Sequence, residues 1–357
     1  MNSIYIKIQE NAGDISEYVL AQVIRTSGST PRKSGSSALF NRYGLVAGTI
    51  GGGVLEGKIQ AVAMDPSITN KTGINEFILS NTAGGEDALC GGKASILIDS
   101  ELQEHSDVFG ALKDSYRARI PGVLITRILK NKKQETEISR YWLTEKTGSE
   151  VIGHFADSVR NTAMEMLSLL KPDDFREVSL QASEENLSDT VYLESVIPPY
   201  RLLIAGAGHI GKALARIGQM IGFEVTVADD RPEYANSDNI PWADHIVTGN
   251  IGRVVADTAK GKDLYIVIVT RGHRDDAEAL EACIGSDAAY IGMIGSRNKV
   301  ELMRRDFIER KLATDEQWKR IYAPVGLDIN SETVEEIAVS IAAQIIQIRN
   351  SSQTLKP

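Results

Sequence analysis

The strongest candidate for chemistry in this sequence is a glycine turn with G-x-G-x-x-G spacing, formed by Gly206, Gly208 and Gly211. Apolar residues before the turn predict a buried strand, and the residues after it predict a helix that begins near His209. The first glycine allows a tight bend, the second lets the backbone approach a ligand, and the third lets the helix pack on the strand. N–H groups at the helix start favour a phosphate or another anion. A turn of the same shape without a ligand is the competing interpretation.

Charged side chains follow two later predicted strands in the same half of the chain. Asp229 ends the second strand, about 20 residues beyond the turn, where an acidic side chain binds ribose in NAD sites. Arg271 and His273 follow the fourth strand, at the carboxyl edge where open α/β sheets bind ligands. Histidine changes charge near neutral pH, so His273 is a candidate catalytic residue. An ordinary polar loop explains the same residues without a ligand.

A predicted helix after the fifth strand begins with cations. Ser296 has the residue type of an N-cap, and Arg297 and Lys299 fall in the first helical turn. Because cations oppose the helix dipole there, we expect an anion at this helix start, beside Ser296, Arg297 and Lys299. Two solvated side chains are the alternative.

A loop in the first half combines backbone donors, a hydroxyl and a cation. It contains Gly28, Ser29 and Arg32 and follows a predicted strand. These groups suit a phosphate or another anion. A connecting turn with solvated charges is the alternative.

Three consecutive glycines, Gly51, Gly52 and Gly53, precede a predicted helix that carries Glu56. Such a run costs conformational entropy when it is ordered. That cost is explained if the backbone of the three glycines must approach a flat or bulky ligand. In that case Glu56 binds a polar edge of the ligand's ring. The alternative is a tight junction between a strand and a helix.

Cys90 stands beside two residues without side chains, Gly91 and Gly92, ahead of a predicted strand. A thiol in that setting can ligate a soft metal or carry sulfur, which makes Cys90 a candidate for both catalysis and metal binding. A small buried hydrophobe is the alternative. Cys283, on the apolar face of a predicted helix, fits that alternative and is assigned no chemistry.

The elements that position these residues fall into two kinds. From residue 200 onward strands and helices alternate, which predicts a C-terminal Rossmann-like α/β domain with a parallel sheet and helices on both faces. Residues 1–170 predict a mixed α/β, glycine-rich N-terminal domain. Residues 171–199 are polar and acidic and end in two prolines, which indicates a linker or surface excursion before the domain 200–357.

Composition excludes several classes of protein. The 357 residues suffice for two domains, and a formal net charge of -9 argues against non-specific nucleic-acid binding. No apolar run reaches the length of a membrane span, and the N-terminus lacks a signal-peptide pattern, so we expect a cytoplasmic protein. Two cysteines exclude a disulfide framework and a four-cysteine iron–sulfur cluster.

Taken together, the motifs resemble the XdhC/CoxI family. The matching segments are Gly28-Ser-Thr-Pro-Arg32, Gly48-Thr-Ile-Gly-Gly-Gly53 with Glu56, Cys90-Gly-Gly92, Gly206-Ala-Gly-His-Ile-Gly211, Asp230-Arg231-Pro232, Thr270-Arg-Gly-His273, Gly292-Met-Ile-Gly-Ser-Arg297 and Pro324-Val-Gly-Leu-Asp-Ile329. The resemblance covers the first hundred and the last hundred and fifty residues or so, and little of residues 103–199. Many relatives have a cysteine where this chain has Val54, so a thiol that touches metal or sulfur should be Cys90.

The resemblance implies a binding and insertion chaperone for the molybdenum cofactor, a phosphorylated pterin that holds molybdenum through a dithiolene. Such a protein keeps the cofactor while sulfur is installed and delivers it to a xanthine dehydrogenase-type apoenzyme. A cysteine desulfurase is a further candidate partner, NAD a second candidate cofactor, and a homodimer the expected assembly. An accessory protein is favoured over an enzyme that turns over substrate. Two alternatives stay open: an NAD-binding oxidoreductase and a subunit of xanthine dehydrogenase itself.

Overall fold

A computed structural model describes residues 4–10, 15–30, 32–65, 72–79, 92–133, 135–153, 155–169, 171–181 and 186–351. The chain divides into two compact units, Asn2–Pro198 and Pro199–Pro357. Within the described residues no helix is both long and apolar enough to cross a membrane.

The first unit is mixed α/β. Its helices are α1 (Ile4–Glu10), α2 (Gly53–Met64), α3 (Ser106–Arg117), α4 (Gly148–Ile152) and α5 (Asp157–Leu169), with 3₁₀ turns at Ile15–Glu17 and Leu102–His105. Its strands are β1 (Val19–Ser27), β2 (Ser37–Asn41), β3 (Gly44–Gly48), β4 (Gly73–Leu79), β5 (Gly92–Asp99), β6 (Gly122–Asn131), β7 (Thr136–Leu143), β8 (Phe175–Leu180) and β9 (Asn186–Val196).

These strands form two antiparallel sheets, with the orders β3-β2-β1-β5-β4 and β7-β6-β9-β8. Apolar residues on one face of the first sheet pack on α2 through Leu55 and Ile59. The second sheet packs on α5 through Val159 and Met166. Burial of these faces, which removes apolar surface from water, is what holds the unit together.

Residues 171–199, which were predicted to be a linker or surface excursion, instead form β8 and β9 of the second sheet. β8 is half-exposed, whereas β9 is buried from Asp189 to Leu193, and polar side chains of this segment pair across the sheet. Asp189 accepts hydrogen bonds from the Arg127 guanidinium on β6 at 2.6 and 3.0 Å. Asp189 is itself only 8% exposed and lies on the same face of β9 as the buried Val191 and Leu193, so its charge is buried and paired with Arg127.

The second unit is a parallel sheet. Its strands are β10 (Arg201–Ala205), β11 (Glu224–Asp229), β12 (His245–Thr248), β13 (Leu264–Ile268), β14 (Tyr290–Met293) and β15 (Ile321–Tyr322), in the order β12-β11-β10-β13-β14-β15. Its helices are α6 (His209–Met220), α7 (Ile251–Thr258), α8 (His273–Cys283), α9 (Arg297–Glu309), α10 (Asp315–Lys319) and α11 (Val334–Ser351). The order 3-2-1-4-5-6 counted from β10 is that of the Rossmann fold.

Helices cover both faces of this sheet. One buried cluster joins the sheet to α7, α8 and α9, and the other joins it to α6 and α11. The predicted fold class is therefore confirmed. Because all the strands are parallel, their carboxyl ends lie along one edge, where α/β sheets bind ligands.

Candidate functional site

The glycine turn joins β10 to α6 at the carboxyl edge. Gly206 has φ 120°, and a Cβ there would overlap the backbone of Val269 on the neighbouring chain segment. A Cβ on Gly211 would overlap the carbonyl oxygen of Gly206, so α6 can pack this closely only without a side chain. Gly208, by contrast, has an ordinary φ of -70°, and a Cβ there would meet nothing within 4 Å. Only the middle glycine therefore opens onto free space.

Asp229 lies beneath this turn. It was predicted to bind a ribose, but its carboxylate forms hydrogen bonds within the chain. Its carboxylate is 1% exposed and accepts four hydrogen bonds. Oδ2 accepts from the Ala207 amide at 2.8 Å and from Nη2 of Arg231 at 2.9 Å; Oδ1 accepts from the amide and Nε of Arg231 at 3.0 and 2.8 Å. Burial raises the pKa of Asp229, but the Arg231 side chain and the two amides outweigh it, so the pKa is below its ordinary value. Asp229 positions the turn rather than presenting a free carboxylate.

An exposed ion pair spans the carboxyl end of β10. Arg271, after β13, donates from Nη2 to Oδ2 of Asp230, after β11, at 3.2 Å, and its Nε lies 3.7 Å from Asp275. Since β11 and β13 flank β10, this pair crosses the crevice above the glycine turn. His209 and His273 are exposed first residues of α6 and α8. Arg271 and both histidines thus stand at the edge where they were predicted.

The start of α9 differs partly from the prediction. Ser296 is the N-cap, and its Oγ accepts from the Lys299 amide at 3.3 Å. The anion expected beside Lys299 is a carboxylate of the same chain, because Nζ lies 2.5 Å from Oδ2 of the buried Asp276. The other oxygen of Asp276 accepts from the Thr270 hydroxyl at 2.5 Å. In the described part of the chain Arg297 is exposed and has no ion pair, so it is the cation left over for a ligand.

The glycine run of the first unit is organised by Glu56. Gly51, Gly52 and Gly53 all have positive φ, of 128°, 73° and 57°, which explains why side chains are absent. Oε1 of Glu56 accepts from the Thr49 hydroxyl at 2.6 Å and from the amides of Ile50 and Gly52 at 3.1 and 2.9 Å. Burial raises the pKa of Glu56, and these donors lower it further than burial raises it. Space beside Gly52 and Gly53 is open.

Two of the predicted loops in the first unit meet. A Cβ on Gly92, at the start of β5, would overlap the carbonyl oxygen of Ser29, so the two backbones are in close contact. Gly28 has φ 71°, and Arg32 is exposed. The candidates Cys90 and Gly91 lie outside the described residues.

Cys283 has the inert role expected for it. It is fully buried on α8, and burial raises the pKa of its thiol to about 12. Within the ranges that the structure describes, no group of three or more His, Cys, Asp or Glu residues is arranged to hold a metal ion.

Reasoning from sequence missed the groups that support the site. Arg231 donates to the carboxylate of Asp229, and Asp276 accepts from the ammonium of Lys299. The predictions for Asp229 and Lys299 did not include these partners. Arg231 also lies over the ring of Tyr234, at 3.9 Å from the centroid. Arg231 was named only as part of a matching segment; its position two residues after a strand-ending acid is the signal for its actual role, because it brings the guanidinium back to that carboxylate.

Two family models match this chain, one within each unit. Residues 202–345 match the family described as the XdhC Rossmann domain, and residues 16–76 match the XdhC and CoxI family. The glycine turn and Arg271 lie in the first match, and Glu56 and its glycine run lie in the second. Cys90 lies between the two matches.

Similar proteins include one from Bacillus subtilis (strain 168) that is named as a probable subunit of xanthine dehydrogenase; it is 27% identical over 340 residues, which cover 94% of each chain. The protein YqeB of Escherichia coli (strain K12), described as uncharacterized, is 35% identical over 153 residues, 43% of this chain and 28% of that one. A crystal structure from Bacillus halodurans, described as a xanthine dehydrogenase, superposes with a TM-score of 0.70 at 26% identity, over 99% of this chain and 98% of that one.

Proposed function

The chain belongs to the XdhC and CoxI family, and from that premise we propose that it binds the molybdenum cofactor and delivers it to a xanthine dehydrogenase-type enzyme. An accessory role to xanthine dehydrogenase follows from the family and from the named relatives. Binding, protection during sulfuration and delivery are the finer steps that we propose. The cofactor is cargo here, so its chemistry is completed in the client enzyme.

The observation that carries the proposal is the open backbone at Gly208. It lies at the N-terminus of α6, where N–H groups and the helix dipole attract an anion. Arg271 and Arg297 supply cations along the same edge, and His209 and His273 supply ring nitrogens. These groups can donate hydrogen bonds to a phosphate of the cofactor, and no protein atom lies within 4 Å of the position of a Cβ at Gly208.

Considered by itself, the glycine run of the first unit offers contacts that a pterin ring can use. The backbone at Gly52 and Gly53 can be approached closely, and Oε2 of Glu56 accepts no hydrogen bond within the described residues. A carboxylate oxygen of this kind accepts from the ring N–H and amino groups of a pterin. We assign Ser29, Arg32 and Gly92 to the same ligand, because the backbones of Ser29 and Gly92 are in close contact.

Cys90 is the thiol that we propose for contact with molybdenum or its sulfur, because Cys283 is buried. Replacing Cys90 with serine should leave cofactor binding measurable but reduce activation of the client by at least about tenfold, since serine is a hard ligand where a soft one is needed. The measurement is activity of a xanthine dehydrogenase apoenzyme after anaerobic incubation with cofactor, a sulfur donor and the chain. Cys283→Ala is the matched control and should activate normally.

Failure of the purified chain to retain the cofactor under anaerobic conditions, together with full activation by Cys90→Ser, would overturn the proposal. A cysteine desulfurase as sulfur donor and a homodimeric assembly belong to the same proposal. Sedimentation and desulfurase pull-down experiments test them separately.

An NAD-binding oxidoreductase is the second candidate, because the strand order and the glycine turn are those of NAD-binding domains. Against it, Asp229 has the position of the ribose-binding acid but is buried and satisfied by Arg231. Calorimetry with NAD and NADP decides: tight binding with hydride transfer would favour this candidate. The third alternative, a component of the dehydrogenase itself, requires stable copurification with the other components at fixed stoichiometry.

Replacing Asp230 with asparagine separates the first two candidates. If Arg271 binds a phosphate, loss of its exposed ion pair should strengthen binding of inorganic pyrophosphate about threefold to tenfold, because phosphate no longer competes with a carboxylate. If the chain instead binds NAD, and the exposed Asp230 replaces the buried Asp229 as the ribose-binding acid, the same variant should weaken NAD binding. Asp238→Asn, an exposed neighbour in the same unit, controls for the change in net charge. Titration calorimetry measures both ligands.

A further inference from the structure

The position at which an NAD-type Rossmann domain binds ribose is occupied here by the side chain of Arg231. Asp229 ends β11, the place from which an acid accepts the ribose 2′-hydroxyl in such domains. Each of its oxygens accepts one bond from the Arg231 guanidinium, Oδ1 from Nε at 2.8 Å and Oδ2 from Nη2 at 2.9 Å. Because this paired arrangement is the strong one for a guanidinium and a carboxylate, Arg231 takes the acceptor positions that a ribose would need.

The loop after β11 fixes Arg231 in this position. The guanidinium carbon lies 3.9 Å from the centre of the Tyr234 ring, so one face of the cation is covered. The carbonyl of Arg231 accepts from the amides of Tyr234 and Ala235 at 3.0 and 2.9 Å, which turns the backbone here. The side chain of Arg231 is 19% exposed, against 39% for the neighbouring Asp230. A ribose could therefore reach Asp229 only by displacing a guanidinium that a carboxylate and a ring both hold.

The same loop is tied to the glycine turn. Asn239 donates from Nδ2 to the carbonyl of Ala207 in the turn at 3.2 Å and to the carbonyl of Tyr234 at 2.9 Å. Its Oδ1 accepts from Nζ of Lys212 on α6 at 3.2 Å. A Cβ at Gly208, by contrast, would meet nothing within 4 Å. The phosphate position of the turn is thus open, while the ribose position beside it is closed.

We propose that Arg231 is a specificity-determining residue that excludes ribose-bearing dinucleotides such as NAD from this domain and leaves its phosphate position available. The ligands that remain are those that present a phosphate to the turn without a ribose diol beside Asp229. The inference rests on the proposed function only in taking the turn as the phosphate site. Recruitment of the 2′-phosphate of NADP by Arg231 is disfavoured, because Nε and Nη2 both donate to Asp229.

Removal of the guanidinium should create NAD binding. By titration calorimetry of the full-length chain, the wild type should show no saturable binding at about 1 mM NAD. Arg231→Ala should bind NAD at least about tenfold more tightly, because the freed acceptor positions of Asp229 can take ribose hydroxyls. NADP should bind this variant at least about tenfold more weakly than NAD, since the carboxylate repels a 2′-phosphate. Arg231→Met keeps an apolar contact with Tyr234, has no donor, and should behave in the same way if Arg231→Ala denatures.

Two further variants show whether the gain depends on the freed carboxylate. Asp229→Asn added to Arg231→Ala should cancel the gain, because the ionised acceptor is lost. Arg310→Ala is the matched control. Arg310 also pairs with an aspartate, Asp306, at 2.9 Å near the end of α9, and its loss should leave NAD binding as weak as in the wild type.

The proposal would be overturned by wild-type binding of NAD as tight as that of Arg231→Ala, or by no gain in either Arg231 variant when thermal denaturation shows both to be folded. Binding of NADP by the wild type that Arg231→Ala loses would also overturn it, because Arg231 would then recruit a 2′-phosphate. None of these titrations uses the molybdenum cofactor. Their failure is therefore distinguishable from failure of the chain to retain that cofactor, which tests the proposed function.

Discussion

Replacing Gly208 with valine is expected to abolish retention of the molybdenum cofactor and to leave the fold intact. The backbone there has φ -70° and ψ -169°, which valine adopts readily, and a Cβ meets no protein atom within 4 Å. The added side chain would occupy the space that we assign to the phosphate. Loss of the amide contacts should weaken binding by about 100-fold, equivalent to about 2.8 kcal/mol. Anaerobic gel filtration with the cofactor, followed by its absorbance, measures this.

Two glycine variants show whether that loss is specific. Gly110→Val, on α3 of the first unit, also has open space around its Cβ and should retain the cofactor. Gly211→Ala should lower the thermal denaturation midpoint, because its Cβ overlaps backbone that cannot move aside. If Gly208→Val retained the cofactor as the wild type does, the phosphate would have to bind elsewhere.

The second unit is predictable from sequence because its signals are local. The turn at Gly206, the N-cap at Ser296 and the strands around them are each specified by fewer than about ten neighbouring residues. The partners of these groups are not local. Asp229 meets Ala207 from 22 residues away, and Lys299 meets Asp276 from 23 residues away. A local motif can therefore predict where an anion binds and still give the wrong partner for a side chain such as Asp229 or Lys299.

The first unit was less predictable for a different reason. In its two antiparallel sheets, strands that lie far apart in sequence are neighbours, as β1 and β5 or β6 and β9 are. Side chains from distant segments therefore form ion pairs. Glu177 on β8 pairs with Arg25 on β1, and Asp189 on β9 pairs with Arg127 within its own sheet. Composition averaged along residues 171–199 indicates a loop, because polar residues are frequent there even though the segment forms two strands. The apolar run Val191-Tyr-Leu193, which is buried throughout, is the signal that identifies β9.

The second large expected effect concerns how the stability of the first unit depends on pH, and it rests on the buried carboxyl of Glu194. Oε2 of Glu194, on β9, accepts from the hydroxyl of Tyr5 on α1 at 2.5 Å and from the side-chain amide of Gln22 on β1 at 2.7 Å. Burial raises the pKa of Glu194 to about 7 from an ordinary value of 4.5, although both donors and Arg140 lower it. The folded chain therefore keeps a proton here that the unfolded chain releases.

The sign of the pH dependence follows from that difference. Between pH 4.5 and about 7 the folded state binds more protons at Glu194, so stability falls as pH rises through this window. The full penalty, on the order of 3 kcal/mol, is present above the folded-state pKa and absent at low pH. Glutamine keeps an acceptor oxygen for Tyr5 and Gln22 and carries no charge at any pH.

Glu194→Gln should accordingly denature at about the same temperature as the wild type at pH 5, and at a temperature higher on the order of 5 °C at pH 8.5. Thermal denaturation at the two pH values measures the difference, and hydrogen exchange of the peptide Asn186–Val196 localises it to the first unit. Glu145→Gln, an exposed glutamate of the same unit, should follow the wild type at both pH values. If Glu194→Gln and the wild type changed in parallel between pH 5 and pH 8.5, the carboxyl would be ionised throughout, and burial would not control its proton.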